Sequence, residues 1–124
     1  MALKTLDEQR AAALESLCEL IVPGSGRVGP VVYIDALLTN MPPPVREYAL
    51  GAIDELKPAA GSAEELAKHD RTGEFAFVRA LAIEAYYSDF VAPGSDAEGA
   101  WADIGFDPPV ARRLRKDWSW LGVS

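Results

Sequence analysis

The chain has 124 residues, 49% of them hydrophobic and 25% charged, with a formal net charge of −7. That is the composition of one globular domain with a modest core. The acid excess argues against nucleic acid as the main partner, because phosphates need a cationic surface, although the last residues, from Arg112 on, are locally basic; no apolar run is long enough to span a bilayer.

The first helix is expected from a capping-box spacing, Thr5 and Glu8, in which a hydroxyl and a carboxylate satisfy the first free amides. It runs to about Val22, with Leu14, Leu17, Cys18, Ile21 and Val22 as its core stripe, and Pro23-Gly24 stops it. Cys18 is the single cysteine, so it forms no internal disulfide and holds no iron–sulfur cluster by itself. It reads as a buried thiol acting as a small hydrophobe.

The next passage, PGSGRVGP from Pro23 to Pro30, places Gly24, Gly26 and Gly29 at the spacing of a dinucleotide fingerprint. The fingerprint needs a strand before it and a βαβ unit around it. A helix precedes it here, so the passage reads as a helix-to-helix loop. Pro30 suits the first turn of a second helix, whose apolar face is Val31, Ile34, Leu37, Leu38 and Met41. A third helix, from about Pro43 to Lys57, turns Val45, Ala49, Ala52, Ile53 and Leu56 inward, with Tyr48 beside that stripe. Ser62 and Glu65 repeat the capping-box spacing and open a short helix to Ala67 or Lys68. His69, the only histidine, follows beside Asp70 and Arg71. It has no second histidine or nearby cysteine with which to hold a metal.

The rest of the chain is arranged around residues 72–89, TGEFAFVRALAIEAYYSD. Phe75, Val78, Leu81, Ala82, Ala85 and Tyr86 recur at helical spacing, and Phe77, Ile83 and Tyr87 widen the apolar face. Such a helix needs cover on more than one side. Glu84 and Asp89 flank the tyrosine pair, but a five-residue offset puts them on different faces, so they make no acid–base pair. Residues 91–100 read as an exposed loop. Trp101, Ile104 and Phe106 return apolar groups to the body, and Asp107-Pro108-Pro109 begins a last helix. That helix carries Arg112, Arg113, Arg115 and Lys116, followed by Trp118 and Trp120. The fold class is therefore all-α: one domain, residues 1–124, of five or six short helices with Pro/Gly-rich joints in an irregular bundle. Residues 107–124 form a C-terminal tail suited to docking on a partner.

Two passages carry a resemblance. Residues 14–38 hold Ile21-Val22-Pro23, a glycine loop, and then Val31 to Asp35, VVYID; residues 75–106 hold Glu84 to Asp89, EAYYSD, and Trp101 to Phe106, WADIGF. In order and spacing these resemble the small-subunit family named for gluconate 2-dehydrogenase subunit 3. The resemblance implies a non-catalytic partner of a large flavin subunit of the glucose–methanol–choline type. That large subunit would carry the FAD and oxidise a hydroxyl of a sugar, sugar acid or glycoside, passing electrons on to an acceptor protein. No catalytic residue, cofactor site or metal site is then expected in this chain. No twin-arginine leader motif like that of exported family members stands in these 124 residues, so a cytoplasmic location is expected, or a periplasmic one for a trimmed mature chain.

The residues themselves point the same way through an aromatic surplus near one end. Tyr86, Tyr87, Trp101, Phe106, Trp118 and Trp120 are six of the eleven aromatic residues. Aromatics and arginine are the usual anchors of interfaces, so these six with Arg112 and Arg113 are the expected partner interface; the rival reading places the aromatics, Trp101 and Phe106 above all, in the domain's own core and the arginines on a solvated helix face. The alternative is a stand-alone helical module that regulates or binds a small molecule.

Overall fold

The computed structural model describes residues 3–88, 90–94, 99–100 and 121–122. Among them the fold is all-α: helices α1 (Glu8–Ile21), α2 (Pro30–Asn40), α3 (Pro43–Leu56), α4 (Ala63–Ala67) and α5 (Gly73–Tyr87), with short 3-10 turns at Ser25–Val28 and Lys57–Ala59. The expected helix after Asp107 lies outside the described residues.

α5 is the central element and packs on α1, α2 and α3, most extensively on α3. Its helical spacing explains this, because Val78, Leu81, Ala82, Ala85 and Tyr86 share the buried face. Leu14 and Leu17 of α1, Ile34 and Leu38 of α2, and Ile53 and Leu56 of α3 meet it, all fully buried. Each such side chain contributes roughly 2 kcal/mol of transfer free energy. A smaller cluster of Val28, Tyr86 and Ala100 closes the end of α5.

The helix ends follow local chemistry. Thr72 caps α5, its hydroxyl accepting the Phe75 amide at 3.1 Å. Ser62 caps α4 by accepting the Glu65 amide at 3.4 Å, and Pro30 occupies the first turn of α2. Arg46 closes the other end of α2 by donating to the carbonyls of Leu38 (3.1 Å) and Met41 (3.0 Å).

Two expectations are corrected. The cap of α1 is Asp7, whose carboxylate accepts the Arg10 amide at 2.7 Å, and not Thr5. Thr5 is engaged elsewhere: the buried carboxylate of Asp35 accepts the amides of Lys4 (2.8 Å), Thr5 (2.9 Å) and Leu6 (2.8 Å). That grip holds residues 4–6 against α2 and delays the helix. Second, Val45 is 38% exposed instead of facing inward. It sits in the first turn of α3, N-terminal to the buried run that begins at Ala49.

Candidate partner-binding surface

The turn between α1 and α2 meets the end of α5. The first glycine, Gly24, has φ +88°, and Gly29 has φ +71°, left-handed values that suit glycine. The carboxylate of Glu19 accepts the amides of Gly24 (2.8 Å) and Gly26 (2.9 Å). Those amides are the groups a phosphate would need, so the glycine pattern binds the chain's own anion. The Gly26 amide first, then that of Gly24 and the charge of Arg27, holds the Glu19 carboxyl below its ordinary value. Behind it, the buried hydroxyl of Ser25 donates to the Cys18 carbonyl at 3.1 Å.

Arg27 bridges this turn to α5. One guanidinium nitrogen donates to the Gly24 carbonyl at 2.9 Å and the other to the Tyr86 hydroxyl at 2.7 Å. Its carbon lies 5.4 Å from the Tyr86 ring centroid, within cation–π range. Tyr86 in turn meets Tyr87 edge to face, with centroids 5.1 Å apart. The neighbouring tyrosines have opposite fates: Tyr86 is 4% exposed and Tyr87 54% exposed. Tyr86 therefore supports from inside, while Tyr87 presents its ring outward. Phe90 follows, fully buried and edge to face with Tyr33 at 5.2 Å, and the Ala92 amide donates to the Val28 carbonyl at 2.8 Å. The start of the expected exposed loop is thus tied down.

A second exposed apolar area lies at the other end of α5. Tyr48 is 42% exposed and packs edge to face on Phe77 at 5.2 Å, with Val45 one turn earlier on α3. Sequence reasoning placed Tyr48 beside the inward stripe and gave it no role. The remaining interface candidates, Trp101, Phe106, Arg112, Arg113, Trp118 and Trp120, lie outside the described residues, as does Asp89.

Chemical groups elsewhere are dispersed. Glu84 is exposed on α5. His69 lies in the turn after α4, its carbonyl accepting the Thr72 hydroxyl at 2.8 Å. Among the described residues no three His, Cys, Asp or Glu side chains cluster as metal ligands, and no helix is long and apolar enough to cross a membrane. Cys18 is fully buried, and burial foremost, then Glu15 and Glu19, pushes its thiol up to about 12. Compared with family models, with curated proteins and with solved structures, the chain matches none.

Proposed function

We propose that this chain is a non-catalytic small subunit that binds and stabilises a large FAD-dependent oxidoreductase of the glucose–methanol–choline type. The flavin, and the oxidation of a sugar, sugar-acid or glycoside hydroxyl, belong to that partner. The observation that carries the reading is the outward ring of Tyr87, 54% exposed and braced on Tyr86, which Arg27 holds. A large apolar side chain fixed before contact loses little freedom on binding, and tyrosine is a frequent anchor of interfaces. Tyr48 and Val45, both exposed, give a second apolar contact area on α3. The sequence resemblance supplies the class of partner, and the basic, tryptophan-bearing residues 112–120 suit an acidic face of it.

Co-expression with a flavin subunit of the glucose–methanol–choline type from the same source tests the reading. The two should elute together in gel filtration and the flavin subunit should lose solubility without this chain. Tyr87→Glu should leave the melting temperature of the isolated chain within a few degrees and weaken the complex at least tenfold, a loss typical of an interface anchor. Separate elution of the two wild-type chains, or full affinity in Tyr87→Glu, would overturn it.

A further inference from the structure

A groove of about 790 Å³ opens between the N-terminal segment, α1 and the first turn of α2. Its apolar lining is Leu3, Leu6, Ala11, Val31 and Val32. The α1 wall is a single helix face, Glu8, Ala11, Ala12 and Glu15, at steps of three and four. Two alanines in the middle leave room, and a carboxylate stands at each end. Glu8 and Glu15 are two turns apart, about 10.5 Å along the axis. Both are exposed, and neither has a salt bridge among the described residues. Asp7 adds a third acid at the Glu8 end.

Among the described residues, the two cations nearest in sequence, Lys4 and Arg10, are turned to other work. Lys4 directs its ammonium to the Gly122 carbonyl at 3.2 Å. Arg10 makes a two-pronged pair with Asp54, at 2.9 and 2.8 Å, and reaches Asp7 only at 3.6 Å. The groove is therefore apolar in its floor and negative at its rim. None of its lining residues belongs to the Tyr87 or Tyr48 surface.

We propose that this groove docks a basic amphipathic helix of a partner protein. The length between the two carboxylates suits about two turns of a helix laid along α1. The occupant would place an aliphatic side chain between Ala11, Ala12 and the two valines. It would carry arginine or lysine seven residues apart, one opposite Glu8 and one opposite Glu15. This is recognition of a helix in a groove, with charge setting direction and register. It stands whether or not the larger partner is a flavoprotein.

The test uses the full chain, nitrogen-15 labelled, with three probes. One is a fourteen-residue helical peptide with leucines on one face and two arginines seven apart. The second has glutamates at those arginine positions, and the third is argininamide alone. The basic peptide should bind in the micromolar range and shift the amides of Ala11, Ala12, Val31 and Val32. Glu8→Gln with Glu15→Gln should weaken it about fivefold, as expected from two exposed ion pairs. Ala12→Trp, which fills the groove while keeping both acids, should abolish the shifts. Both variants are checked for an unchanged melting profile. Absence of binding, equal binding of the acidic peptide, indifference to either variant, or saturation by argininamide at the same concentration would each overturn the proposal. The last result would mean a small-cation site instead.

Discussion

Asp35 and Leu6 are joined across 29 positions of the chain by a hydrogen bond of 2.8 Å from a buried amide to a buried carboxylate. The same carboxylate takes the amides of Lys4 and Thr5, and the Thr5 and Thr39 hydroxyls meet at 2.7 Å beside it. A carboxylate 4% exposed is costly to bury. Three amide donors converging on it offset that cost and make the contact specific to this stretch of backbone.

Replacing Asp35 should therefore be among the most damaging single changes. Asp35→Ala leaves three amides without their acceptor, and about 3–4 kcal/mol of stability should be lost in urea unfolding. Asp35→Asn keeps the shape but offers one acceptor oxygen and turns an amide donor towards the backbone donors, so it should recover only part of that. Hydrogen exchange at Lys4, Thr5 and Leu6 should rise in both variants. Unchanged protection there would show that the segment is held by something else.

The loop carboxylate has a pH signature. Glu19 is held below the usual carboxylate range, first by the Gly26 amide, then by Gly24 and Arg27. A depressed carboxyl contributes stability above its unfolded value of about 4.3 and loses it as pH falls through the folded value. The unfolding free energy should thus fall as the solution is acidified below about pH 4.5, and Glu19→Gln should flatten part of that slope. Parallel pH profiles for wild type and variant would refute this.

Cys18 should be inert in the folded protein. Its thiol is fully buried and pushed up to about 12, so almost no thiolate exists at pH 8. An aromatic disulfide reagent should react only as fast as the protein opens, and promptly once it is unfolded. Cys18→Ala should cost about 1–2 kcal/mol through the small void it leaves.

Gly29→Ala meets two obstacles. The residue has φ +71°, and an added methyl would lie 2.6 Å from the Ala92 side chain. The left-handed conformation alone costs roughly 1–2 kcal/mol for alanine, and relief of the contact requires residues 90–92 to shift. A loss of about 2–4 kcal/mol in thermal or urea unfolding is expected. Gly24→Ala has the same handedness penalty at φ +88° but meets only the Arg27 side chain, at 3.2 Å, so it should cost less.

The helices were legible because their signals are local. Pro30 and Pro43 mark starts, Ser62 caps, and the steps of three and four in α5 name its buried face. What failed depended on partners far along the chain. Asp35 lies inside an apolar helix, and its role as an acceptor comes from the amides of residues 4–6, far back along the chain. Thr5 and Asp7 both qualify as caps by residue type, and the pull of Asp35 on Thr5 decides between them. Val45 has the right phase for the core but lies in the first turn of α3. In the sequence Tyr86 falls on the main stripe of α5 and Tyr87 beside it, and their burial follows that phase; the bond to Tyr86 from Arg27, 59 residues away, has no local signal. The groove between α1 and α2 gave no signal, since its wall is made of ordinary alanines and glutamates.

Glu19 precedes the first glycine of its loop by five residues, and both of its oxygens are committed to that loop. Such a loop carries a built-in counterion, much as a lock shipped with its own plug. A search that scores only the glycines would file chains like this one among nucleotide binders. One acidic residue a turn and a half upstream, in a helix instead of a strand, is the mark that tells the imitation from the original.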